Sequence, residues 1–169
     1  MKRIIIIGSG GAGKSTLARA LGERLGLPVV HLDAQFWQAG WKERNREDWL
    51  EWQRHATLEP RWIMDGNFGG TLGVRLAAAD TVIFLDLPPA LCVARALRRV
   101  LRYLGRSRPD MARGCPEKLD LNFLRWIWNY PRKNRPVILE QLARLGQGQR
   151  VVRLRSAAAV RDFLNTIAS

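Results

Sequence analysis

The stretch Gly8-Ser9-Gly10-Gly11-Ala12-Gly13-Lys14-Ser15 constrains this chain more than any other. It follows the apolar run Ile4-Ile5-Ile6-Ile7 and leads directly into Thr16-Leu17-Ala18-Arg19-Ala20-Leu21. The form is G-x-x-x-x-G-K-[ST] between a strand pattern and a helix pattern, which is the layout of a phosphate-binding loop. Glycines let successive backbone N–H groups turn inward around a phosphate, and the helix that follows points its positive end at the same anion. The expectation is a nucleotide site at Gly8, Ser9, Gly10, Gly11, Ala12, Gly13, Lys14, Ser15 and Thr16. Lys14 would reach the β- and γ-phosphates of ATP, and the Ser15 hydroxyl would sit on Mg²⁺.

Strand and helix patterns alternate along the rest of the chain. Residues 2–7 read as a buried strand, and Leu17, Leu21 and Leu25 as the inner face of a helix stopped by Gly26-Leu27-Pro28. Further strands are expected at Val29–Leu32, ending at Asp33, then at Arg61–Met64, Thr81–Leu85 and Arg150–Arg155. Helices are expected at about Arg46–Leu58, Ala90–Leu104 and Ala157–Ile167, with a long helical region over Asp120–Leu145 that Pro131 and Pro136 break or kink. Residues 34–45 read as loop. This alternation predicts an α/β doubly wound domain whose ligand lies at the carboxyl ends of the strands. The loop at Gly8 would meet Asp33, Asp65 and Asp86 there.

At 169 residues the chain is one domain by length. Its two cysteines, Cys92 and Cys115, lack metal-ligand spacing and read as reduced thiols, so a cytoplasmic protein is expected. No apolar run approaches a membrane span. The formal net charge is +13, and residues 92–136 hold twelve Lys/Arg against three Asp/Glu. Arg95, Arg98, Arg99 and Arg102 form a basic stripe on the helix from Ala90, with Val93, Leu97, Val100 and Leu104 opposite. Such a balance suits polyphosphate or weak, non-specific nucleic-acid binding.

Taken together, these segments resemble the adenylate-kinase group of P-loop kinases. Besides the glycine loop, Ile63-Met64-Asp65-Gly66 resembles the Asp-Gly ending the third strand, and Phe84-Leu85-Asp86-Leu87-Pro88 with Arg95 and Arg99 resembles the segment whose arginines grip phosphates. The resemblance implies a five-stranded parallel sheet of order 2-3-1-4-5, Mg²⁺ held through Asp65, and a small lid at about 103–118. It also implies adenine packing near Ser156-Ala157. An acceptor-side region falls at about 33–60. His31-Leu32-Asp33, Asp65-Gly66-Asn67-Phe68, Arg108-Pro109-Asp110-Met111 and Gly114–Asp120 look more closely like bacterial DNA topology modulation proteins (FlaR-like), themselves related to adenylate kinases.

Two departures bear on the acceptor. Adenylate kinases follow Asp-Gly with Phe-Pro-Arg, whereas Asn67-Phe68-Gly69 stands here, and their Thr-Gly acceptor motif is absent. Asp33 instead resembles the Asp beside the acceptor hydroxyl in small-molecule kinases of the shikimate and gluconate type. The expected activity is transfer of the ATP γ-phosphate to a small molecule or nucleotide, with Lys14, Asp33, Arg95 and Arg99 catalytic and Ser15 and Asp65 on the metal. The alternative is a nucleotide-binding regulator acting on DNA through its basic surface. Several roles stay open on sequence: Asp86 as helix cap or metal ligand, Asp33 as base or turn residue, and which of Arg106, Arg108 and Arg113 reaches phosphate. Trp37 and Trp41 either stack on an acceptor ring or pack in the core or at the rim of the site, Trp62 and Trp128 read as core, and His31 carries no assigned role.

Overall fold

In the computed structural model, which describes residues 1–167, the four isoleucines form the centre of the molecule. They lie in β1 (Arg3–Gly8), and each is 0% exposed. A strand apolar on both faces belongs in the middle of a parallel sheet. β2 (Val29–His31), β5 (Trp62–Asp65), β6 (Thr81–Leu85) and β7 (Arg150–Leu154) complete it in the order β2-β5-β1-β6-β7. Every pairing is parallel, and the order is the expected one once the strands of this sheet are counted alone.

The two-residue period of β1 divides the core into two layers. Ile4 and Ile6 pack with Ile63, Ile83 and Leu85 under helices α1 (Lys14–Leu25), α5 (Pro89–Tyr103) and α8 (Ala157–Thr166). Ile5 and Ile7 pack with Met64, Val82 and Phe84 against α4 (Leu72–Ala78) and α7 (Arg135–Ala143). α6 (Leu121–Lys133) gives Ile127 to one layer and Tyr130 to the other. Each side chain fully removed from water contributes about 1.5–3 kcal/mol of transfer free energy.

Four expectations are corrected. β2 ends at His31, and Asp33 sits in the first turn of a short helix, α2 (Leu32–Phe36). Residues 34–45 are not simply loop, because β3 (Trp37–Gln38) and β4 (Lys42–Glu43) pair as an antiparallel hairpin ahead of α3 (Arg46–Leu58). The long helical region breaks just ahead of Pro136, as expected, but Pro131 lies inside α6 without ending it; Pro136 sits in the first turn of α7, where its missing N–H costs nothing. Trp62 is core as expected, but Trp128 is 59% exposed.

The inner face of α5 also differs from the apolar stripe in its sequence. Cys92, Ala96 and Val100 are buried, whereas Leu97 and Leu104 face solvent. The physical reason is close approach. A Cβ at Gly11 would overlap the Cys92 carbonyl, so α5 turns its small residues toward the glycine loop and its leucines outward.

Candidate active site

The glycine loop is wedged between two helices. Gly11 has φ 73°, a conformation that L side chains rarely adopt, and lies against α5. A Cβ at Gly10 would stand 2.5 Å from Cζ of Phe123 on α6. The Gly8 N–H donates to Oδ1 of Asn67 at 2.9 Å, which ties the loop to the segment after β5. Lys14 opens α1 and folds back so that Nζ donates to the Gly8 and Ser9 carbonyls, both at 3.0 Å. Burial pushes its ammonium below the ordinary lysine value, while the carboxylates of Asp33 and Asp65 oppose that shift.

The loop forms one wall of a cavity of about 1130 Å³. Gly10–Thr16, Asp33, Arg95 and Arg99 all line it; Gly8, Ser9, Asp65 and Ser156 do not. Arg95 reaches the loop itself, with Nη1 donating to the Ala12 carbonyl at 3.4 Å. Ser156 caps α8 by accepting the Ala159 N–H at 3.0 Å, and it is Ala157 and Val160 that face the cavity. Arg98 and Arg102 are exposed at its rim. Of the three arginines between α5 and α6 that were open on sequence, only Arg108 lines it.

Asp33 enters the cavity from α2 without any ion-pair partner among the described residues. Burial raises its carboxyl above the usual carboxylate range, and the Lys14 ammonium works against that. Asp65 is buried beneath, and its Oδ1 lies 2.6 Å from Nδ1 of His31, the residue directly beside it in the β2–β5 register. His31 therefore has a partner the sequence did not reveal, and the hydrogen bond to Asp65 raises its pKa.

The segment between α5 and α6 closes the far side of the cavity. Glu117 is 5% exposed and holds two cavity arginines at once: Oε1 is 2.8 Å from Nη2 of Arg99, and Oε2 is 2.7 Å from Nε of Arg108. Arg99 also stacks over Phe123, 5.6 Å from the ring centroid. Arg108 meets Asp110 at 3.2 Å. Burial alone would raise the Asp110 carboxyl, but Arg108 and the neighbouring Ser15 hydroxyl bring it below its ordinary value.

The β3–β4 hairpin docks on the same segment. The Gly40 N–H donates to the Gly114 carbonyl at 2.8 Å, Trp41 Nε1 to that of Pro116 at 3.1 Å, and Cys115 Sγ to that of Gln38 at 3.1 Å.

Hard oxygen donors suited to Mg²⁺ line the cavity near the loop: the Ser15 hydroxyl with Asp110 beside it, and Asp33 within the field of Lys14. Among the described residues there is no cluster of three His, Cys, Asp or Glu able to cage a metal. That fits this ion, which usually takes one or two protein oxygens and completes its shell with water and substrate phosphate. Asp65 is committed to His31 and stands back from the cavity, so any part it plays would run through water.

Asp86, open on sequence between cap and ligand, is an ion-pair residue. Its Oδ2 lies 2.6 Å from Nη2 of Arg153 and 3.4 Å from Nε of Arg135, outside the cavity. Arg75 has no signal in the local sequence pattern. It is fully buried and donates to the carbonyls of Gly66, Asn67 and Phe68, which fixes the turn that carries Asn67. Burial without a carboxylate pushes its pKa down to about 9.

No helix among the described residues is long and apolar enough to cross a membrane. The chain is 30% identical over 135 residues to the uncharacterized protein YqaC of Bacillus subtilis (strain 168), covering 76% of this chain and 72% of that protein. No family model matches it. Its fold is similar to shikimate kinase from Acinetobacter baumannii, solved in complex with shikimate, at TM-score 0.62 and 17% identity, covering 99% of this chain and 90% of that one. Shikimate kinase from Bacteroides thetaiotaomicron gives 0.58 at 17% identity, covering 98% and 95%. A gluconokinase from Sinorhizobium meliloti 1021 gives 0.52 at 16% identity, covering 99% and 93%. At such identities the likeness is one of fold.

Proposed function

The chain belongs to the family of the Bacillus subtilis protein YqaC, and from that premise we propose that it is an ATP-dependent kinase acting on a small hydroxyl compound. The observation that carries this reading is the convergence of Lys14, Asp33, Arg99 and Arg108 on one cavity floored by the glycine loop. Phosphoryl transfer needs positioning and charge neutralisation more than covalent help from the protein. The amides of the loop and Lys14 would hold the β- and γ-phosphates, displacing the contacts of Nζ to Gly8 and Ser9. Mg²⁺, held by Ser15 with Asp65 or Asp110 behind a water, would neutralise phosphate charge. Arg95, Arg99 and Arg108 would face the transferring group.

Asp33 is the base in this reading. As the acceptor oxygen bonds to the γ-phosphorus and ADP leaves, the hydroxyl proton passes to the Asp33 carboxylate. The segment at 103–118, with the hairpin docked on it, would act as the lid that excludes water. The rival reading, a regulator acting on DNA, draws on the same +13 charge, yet nine of the 28 lysines and arginines line this cavity. Calorimetry with Mg-ATP and an ADP-release assay test the proposal. Asp33→Asn should keep Mg-ATP binding and lose roughly 10²–10⁴-fold in turnover. Absence of Mg-ATP binding by the wild type would sink the kinase reading; full turnover by the variant would sink the base.

A further inference from the structure

We propose that Glu117 is a positioning residue for phosphoryl transfer, joining Arg99 and Arg108 into a single guanidinium clamp for the transferring phosphate. This rests on the kinase reading above. Glu117 stands at the base of the segment between α5 and α6. Its N–H donates to the Arg106 carbonyl at 2.9 Å, and its carbonyl accepts the Gly105 N–H at 3.0 Å. The backbone is thus tied to the chain just beyond α5, while Arg108 lies further along the segment. From that anchor the carboxylate reaches both ways. Oε1 accepts from Nε of Arg99 at 2.9 Å and lies 2.8 Å from its Nη2. Oε2 lies 2.7 Å from Nε of Arg108, a contact of charges without the alignment of a hydrogen bond.

These contacts leave one edge of each guanidinium unused. Arg108 gives Nη1 to Asp110 at 3.2 Å, so its Nη2 takes part in none of them, and neither does Nη1 of Arg99. Both arginines line the cavity together with the glycine loop. Burial and the Arg108 charge push the Arg99 pKa down, and Glu117 opposes them. Among the described residues, Glu117 is the one carboxylate paired with both cations. A buried ion pair is weak evidence of stability. Donors fixed in advance, however, cost no reorganisation when charge develops on a transferring group. That advantage depends on the bridge, because like charges otherwise repel.

Aluminium fluoride with Mg-ADP mimics the transferring phosphoryl group and tests this independently of the acceptor. Calorimetry gives the Mg-ADP affinity with and without the fluoride. The wild type should gain about 10²-fold or more from it, as transition-state analogues do. Glu117→Gln should hold Mg-ADP affinity within about threefold or improve it, because a negative charge near the phosphates is gone. Its gain from aluminium fluoride should fall by at least about tenfold. A role confined to stability would lower Tm and leave that gain intact. Glu117→Asp keeps the charge on a shorter arm, and carries the same test should the glutamine variant fail to fold. A variant that keeps the whole gain, or a wild type that shows none, would overturn the inference while the kinase reading stands. Absence of Mg-ADP binding by the wild type would condemn the kinase reading itself.

Discussion

Glu117→Gln isolates the charge of the one carboxylate that organises the cavity's arginines. The substitution keeps the shape and one carbonyl oxygen but leaves Arg99 without a counter-ion and Arg108 with Asp110 alone, at 3.2 Å. The exposures are 5% for Glu117, 10% for Arg108 and 24% for Arg99, so water screens Arg99 in part and Arg108 hardly at all. Removing one partner of a fully buried pair costs about 3–5 kcal/mol. With partial screening of Arg99, the Asp110 partner that Arg108 keeps and the retained amide oxygen, the expected loss is about 2–3 kcal/mol. For a chain of this size each kcal/mol moves Tm by about 2–4 °C, which gives a fall of about 4–12 °C. Thermal unfolding with and without saturating Mg-ATP is the assay. Nucleotide phosphates would supply the missing anion, so the deficit should shrink when Mg-ATP is present. A Tm within about 2 °C of wild type would refute the energetic argument. A deficit that nucleotide leaves unchanged would refute the claim that these guanidiniums face phosphate.

Gly11→Ala should destabilise the protein by more than the roughly 1–2 kcal/mol of a left-handed alanine, because its Cβ would also overlap the Cys92 carbonyl. A Tm equal to wild type with unaltered Mg-ATP affinity would show that the loop can move away from α5. His31 provides a pH test. Its folded pKa is raised above the ordinary value near 6.5 by the hydrogen bond to Asp65, so the stabilisation is fully present below about pH 6.5 and is lost as pH rises through the higher folded value. His31→Gln should flatten the Tm–pH curve above about pH 6.5, and an unchanged slope there would remove the pair as its source.

The fold was legible because its determinants are local and repeated. Four consecutive β-branched isoleucines stopped by glycine favour a doubly covered strand, and glycines beside Lys14-Ser15 a tight strand-to-helix turn. α5 shows where that logic ends. Its leucine stripe was visible, but the choice of Cys92, Ala96 and Val100 as the inner face was made by the backbone of Gly11, far away in sequence. Trp128 failed for a related reason: size predicts burial on average, and helix rotation decides the particular case.

The site divides along the same line. Lys14, Ser15, Asp33 and the arginines of α5 could be named because a motif or a helical spacing announces them. His31, Arg75 and Glu117 could not. Each acts through a partner on another element, and nothing in the local pattern distinguishes a histidine beside Asp65 from one facing water. The hairpin is the sharpest instance. Two strands of two residues have almost no propensity of their own, and their anchors are three hydrogen bonds to residues 114–116. Their order is thus a property of the contact and not of the segment. Trp41, pinned to the Pro116 carbonyl, keeps its place only while the segment between α5 and α6 does, whereas Trp37 has the Phe36 ring behind it as well.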